Sequence, residues 1–100
     1  MLDFTQITGF DWDDGNNRKN NLKHDVSSAE AEQLFFNEPL LLLPDTLHSY
    51  TESRIHALGK TDGGRRLHVT FTLRFNNSMI RVISARDMHR KERAIYEQQN

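Results

Sequence analysis

Thirteen lysines and arginines and five histidines are the residues of this 100-residue chain that could handle phosphate charge and protons. Cysteine is absent, which removes thiol nucleophiles, disulfides and cysteine-ligated zinc. His24, His48, His56, His68 and His89 show neither HxxxH nor HExxH spacing. His56 and His68 could meet across a hairpin, but two ligands make a poor metal site, so no metal and no cofactor is expected. Asp62-Gly63-Gly64 reads as a turn, not as a phosphate loop, and no serine nucleophile elbow is present. What remains is arginine, whose planar fork suits phosphate oxygens, and imidazole, which can move protons near neutral pH.

These groups are unevenly spread. Residues 1–50 hold three Lys/Arg against nine Asp/Glu, and residues 51–100 hold ten against five. Such halves predict either an anionic ligand on the basic half or self-complementarity inside one domain. Within the basic half, two runs alternate. Ile55 and Ala57, then Leu67, Val69, Phe71 and Leu73, take one face. Arg54, His56, Lys60, Arg66, His68 and Arg74 take the other, with Thr70 and Thr72 between them. A sheet face of that kind is costly to bury dry; it suits a polyanion, or it is an ordinary solvated face. Further on, Arg86, His89, Arg90, Lys91 and Arg93 crowd a short segment, either as phosphate ligands or as a surface helix paired with Glu92. Trp12, beside Phe10, is a core anchor or else a base-stacking platform.

The elements that must position these residues follow from periodicity. A first helix runs from Asp13 or Asp14 to about His24, with only Leu22 to bury. Asp25 follows it, where a left-handed residue would be useful. Ser27-x-x-Glu30 is a capping box for a second helix, with Val26 and Ala31 as a small staple and Ala31, Leu34 and Phe35 on one face; Pro39 ends it. Strands are predicted over Leu40–Leu43, Arg54–Lys60, Arg66–Arg74 and Met79–Ala85, the last expected to be buried on both faces. Turns fall at Thr61–Gly64 and Asn76-Asn77, and Arg65 has no fixed place beside its loop. A final helix, capped by Asp87, reaches about Gln98 with a thin stripe of Met88 and Ile95. The expected class is α+β: two N-terminal helices, an antiparallel meander and a C-terminal helix, in one domain spanning 1–100. Leu40–Leu43 is far short of the roughly 20 residues that cross a bilayer. The start, Met1-Leu2-Asp3-Phe4, lacks the features of a signal peptide. A soluble, cytoplasmic protein with no membrane partner is expected.

Several short motifs then follow in order over residues 9–97: Phe10-Asp11-Trp12-Asp13, Asn21-x-x-His24, Val26-Ser27-x-x-x-Ala31-x-x-x-Phe35, Glu52-x-Arg54 leading to Gly59-Lys60, Arg81-Val82-Ile83-Ser84-Ala85-Arg86, and Arg90-Lys91-Glu92-Arg93-x-x-Tyr96-Glu97. In this combination the chain resembles the BrnT family of toxins from type II toxin–antitoxin systems. Asp25 stands where that family often has Gly. The resemblance implies a RelE-like fold and a ribonuclease that cuts RNA and blocks translation. It also implies a cognate BrnA-like antitoxin with a ribbon-helix-helix part, and a pair that represses its own operon. Operator DNA would be reached only through that antitoxin complex.

On this reading RNA supplies its own 2′-hydroxyl nucleophile. The protein must supply a proton acceptor, cations for the phosphorane and an acid for the 5′-oxygen. Arg86 and Lys60 are expected to carry phosphate charge, Arg54 to act as a second clamp and His56 to transfer a proton. Arg66, Arg81, Arg90 and Arg93 are expected to hold RNA, with Trp12. Strand parity puts Arg81 and Arg86 on opposite faces unless a bulge intervenes. The alternative is a non-catalytic basic protein binding an acidic antitoxin, or DNA as a co-repressor, since arginines that bind phosphate and carboxylate look alike in sequence.

Overall fold

A computed structural model describes residues 4–13, 15, 24–47 and 52–99. The first helix expected, Asp13 or Asp14 to about His24, falls almost wholly outside the described residues. The second is present as α1, Ser28–Gln33, continued by a 3-10 turn over Leu34–Phe36. The Ser27 hydroxyl accepts from the Glu30 N–H, and the Glu30 carboxylate accepts from the Ser27 N–H. This reciprocal cap satisfies two donors that a helix start leaves over. Asp25 takes the left-handed conformation (φ 54°) ahead of that cap.

The strands are β1 Gly9–Phe10, β2 Leu41–Asp45, β3 Arg54–Lys60, β4 Arg66–Arg74 and β5 Met79–Asp87. They form a five-stranded sheet in the order β1-β5-β4-β3-β2. The four later strands make the expected antiparallel meander. The sequence reading missed β1, which pairs parallel to the outer edge of β5, so the sheet is mixed. Two residues are too few to show any periodicity.

One face of the sheet is the core. Ala57, Leu67, Val69, Phe71, Ile80, Val82 and Ala85 pack with Val26, Ala31 and Leu34, all buried. Strand β5 is buried on one face only: Ile80, Val82 and Ala85 point into the core while Arg81 and Ser84 are half-buried on the other side. Gly59 shows how close this packing is. A Cβ there would stand 2.9 Å from Leu34 Cγ, and Leu34 is fully buried. Gly59→Ala is therefore expected to destabilise by about 1–3 kcal/mol through overpacking, read as a lower urea midpoint at unchanged slope.

The second face is partly covered by α2, Arg90–Glu97. This helix begins three residues after the expected cap: Asp87 closes β5 and His89 is the N-cap. The shift moves the buried stripe. Met88 is buried as expected, but Ile95 is 45% exposed and Tyr96 takes its place, packing with Leu58 and Leu41. The Tyr96 hydroxyl donates to the Pro39 carbonyl at 2.6 Å, which ties α2 to the segment leading into β2. Among the described residues no helix is long and apolar enough to cross a membrane.

Candidate active site

The face that α2 leaves open collects the basic residues, and its layout depends on one irregularity. Thr70 pairs with Ser84 but Phe71 pairs with Val82, so Ile83 is an extra residue in β5. A bulge of this kind resets parity. Arg81, opposite Thr72, and Arg86, opposite His68, therefore share one face, and the parity conflict read from sequence is resolved.

Two histidines meet at the centre of that face. The rings of His56 and His68 lie 4.7 Å apart. On one side, His56 Nε2 is 3.2 Å from a carboxylate oxygen of buried Asp45, and His56 Nδ1 is 2.9 Å from the Thr70 hydroxyl. On the other side, His68 Nε2 is 3.8 Å from Glu92, which holds Arg86 in a bidentate pair at 2.8 and 2.9 Å. Burial, reinforced by the Arg86 charge, pushes the His68 imidazole down to about 4, so it is neutral near pH 7. For Glu92, burial alone would favour the neutral acid. Hydrogen bonds from Arg86 and from the His89 N–H outweigh it and hold the carboxyl down at about 2.

The other candidates are dispersed. Arg54 sits two residues from His56 and directly opposite Asp45 in the register. Lys60 lies at the far end of β3, beside the turn and opposite Arg66, about 13 Å along the strand from His56 at the usual rise per residue. Arg66 pairs with Glu97 at 2.6 Å, Arg74 with Glu52 at 3.0 Å, and Arg81 with Asp11 at 2.7 Å. Arg90 and Arg93 stand exposed on α2, Arg93 donating to the Met88 carbonyl. Trp12 packs against the core cluster on the opposite side of the sheet, with its indole N–H donating to Glu32 at 2.7 Å. It serves as a core anchor there, away from the basic face. The acidic first half thus does neutralise part of the basic half, through Asp11 and Glu30.

Arg65, unplaced by sequence, is a structural hub. Its five N–H donors reach Asp87, Glu30 and the carbonyls of His24 and Asp25. The Asp87 hydrogen bond leads in keeping this guanidinium charged, and the residue fastens the β3–β4 turn to the entry of α1. Asp45, Thr70 and Glu92 were not singled out as site residues in the sequence. Asp45 reads there as a strand stop and Glu92 as a surface partner, because only the strand register brings them beside the histidines.

Arg86 also forms one wall of an open groove of about 440 Å³, shared with His24, Asp25, Asp87, Met88 and His89. A larger groove, about 680 Å³ and lined by Phe4, Phe35, Phe36 and Leu42 among others, lies on the core side of the sheet, away from the histidines. Among the described residues no group of three His, Asp or Glu side chains is arranged to hold a metal ion.

A family model described as ribonuclease toxin, BrnT, of type II toxin–antitoxin system matches residues 12–92. The crystal structure of the Brucella abortus ribonuclease toxin, BrnT, is similar in fold, with a TM-score of 0.63 at 21% identity. The match covers 83% of this chain and 99% of that one. No curated relative matches the chain.

Proposed function

The chain belongs to the BrnT family, ribonuclease toxins of type II toxin–antitoxin systems, and on that premise we propose that it cuts RNA on the open sheet face, without a metal, by 2′-hydroxyl attack on the adjacent phosphate. The observation that carries this reading is the pair of histidines set between a buried carboxylate and the Arg86–Glu92 pair. Arg86 holds the scissile phosphate and Arg54 clamps a neighbouring one. His56 takes the 2′-hydroxyl proton at Nδ1, the substrate hydroxyl replacing Thr70 as its partner there; the 2′-oxygen bonds to phosphorus as the P–O5′ bond breaks, and solvent water gives the leaving 5′-oxygen its proton. Asp45 at Nε2 fixes the ring orientation and stabilises the imidazolium that forms, as a carboxylate does behind any histidine base. Lys60, Arg66, Arg81, Arg90 and Arg93 hold the flanking strand.

The start of α2 supports a binding role. Arg90, Lys91 and Arg93 crowd its first turn, where the helix dipole disfavours cations. Glu92 offsets part of that cost by capping the helix. Basic residues kept at such a position suit a phosphate chain. The partner of this toxin is an antitoxin, and we assign it the BrnA-like, ribbon-helix-helix type. It would cover part of α2 or the basic face and carry the pair to operator DNA. Cleavage of cellular RNA would block translation, on a fold of the RelE-like kind.

The test is incubation of purified protein with end-labelled RNA in EDTA. Cleavage leaving a 2′,3′-cyclic phosphate and a 5′-hydroxyl is expected. RNA affinity should fall with salt by roughly 0.7 log unit per log salt for each phosphate neutralised on a single strand. Intact RNA in EDTA that is cut once a divalent ion is restored would overturn metal independence. A flat salt response would assign the arginines to folding or to the antitoxin.

A further inference from the structure

Arg86 uses its donors in an ordered way. The end edge of the guanidinium, Nη1 and Nη2, is spent on the two oxygens of Glu92. The second Nη1 proton goes to the Asp87 carbonyl at 3.0 Å. The Nε proton and the second Nη2 proton share the remaining side edge, and among the described residues neither has a partner. In two other arginines this same edge is consumed. Arg65 gives its Nε and Nη2 to Asp87, and Arg81 gives its Nε and Nη2 to Asp11.

A guanidinium edge with two parallel N–H groups is the shape that takes two oxygens of one phosphate. Glu92 is itself fixed, because its Oε1 also accepts the His89 N–H at 2.8 Å. The chain of contacts therefore runs from the backbone at the start of α2, through a fully ionised carboxylate, to the arginine. We propose that Glu92 is a positioning residue for RNA cleavage: it grips the end edge of Arg86 so that the Nε–Nη2 edge faces the scissile phosphate. This rests on the reading of Arg86 as the phosphate ligand.

The proposal separates from a mere helix cap by kinetics. In Glu92→Gln the amide can still accept at one oxygen, but its NH2 group faces an Nη donor, so the guanidinium turns away. We expect kcat for RNA to fall roughly ten- to a hundredfold, the scale of a misplaced catalytic group. KM should stay level or drop, because an anion has been removed from an RNA-binding surface. A cap acting only on stability would lower Tm and leave kcat of the folded enzyme unchanged, which would overturn the proposal. Tyr96→Phe serves as the control, since it loosens α2 by removing the bond to the Pro39 carbonyl without touching Arg86. It should lower Tm with kcat intact.

A second measurement uses the unaltered protein and does not depend on the variant folding. Saturation with a single-stranded DNA oligonucleotide, which lacks the nucleophile, should shift the Arg86 Nε–H resonance and slow its exchange. An unmoved Nε–H at saturation would sink the idea. Failure at the two levels is distinguishable: an Arg86→Ala enzyme that still cuts removes the parent reading, whereas an inactive Arg86→Ala beside a fully active Glu92→Gln removes only the role of Glu92.

Discussion

Replacing Arg86 by alanine is expected to slow RNA cleavage about a hundredfold while leaving the sheet folded. The phosphorane formed by 2′-hydroxyl attack gains negative charge on its equatorial oxygens, and a fixed cation there stabilises the transition state more than the ground state. Losing about 3 kcal/mol of such stabilisation corresponds to that rate effect. Arg86→Lys should recover only part of it, since a point charge cannot reproduce the paired donors. The variant also carries an internal control. Arg86 is one of the causes that keep His68 neutral, after burial, while Glu92 pulls the other way. With the arginine gone and Glu92 in place, the His68 imidazole should titrate at higher pH, visible in its ring-proton shifts. A folded Arg86→Ala protein that cleaves at the original rate would exclude Arg86 from the site.

Acid should destabilise the protein in a defined window. His68 is buried, and its ring is held at about 4 in place of its ordinary 6.5. The unfolded chain therefore binds this proton first. Above about pH 6.5 the group contributes nothing to the pH dependence; as pH falls from there towards 4, stability declines because the unfolded state gains a proton the native state refuses. Below pH 4 both states carry the proton, and the loss levels off at about 3 kcal/mol for this one site. Glu92 continues the trend in a lower window. Its carboxyl lies at about 2 when folded against 4.5 in the unfolded chain, so its contribution is present above 4.5 and fades as pH falls towards 2. Urea titrations at several pH values should show the first decline in the parent protein. His68→Gln, which cannot titrate, should lack it; an identical slope in both proteins would assign the acid sensitivity to other groups.

Several local signals are legible in the sequence. The Ser27–Glu30 box, the left-handed Asp25, the Thr61–Gly64 turn and the double asparagine of the β4–β5 turn all depend on residues within a few positions of one another. The alternation of β3 and β4 also determined which side chains leave the core, and so placed Arg54, His56, His68 and Arg74 on one face. The order of motifs from Phe10 to Glu97 pointed to the family. Tertiary structure decided the rest. The single extra residue at Ile83 brings Arg81 and Arg86 to one face, and alternation cannot reveal a bulge because both parities fit the same residues. The start of α2 at Arg90, set by the Glu92 cap and by packing on Leu58, buries Tyr96 and exposes Ile95. The pairing of arginines with acids was equally open. Arg65 could have been a ligand and Arg86 an anchor until the register set Asp87 and Glu30 around the first and left an edge of the second open. Any carboxylate within reach satisfies a guanidinium, so the choice of partner belongs to long-range geometry and not to residue type.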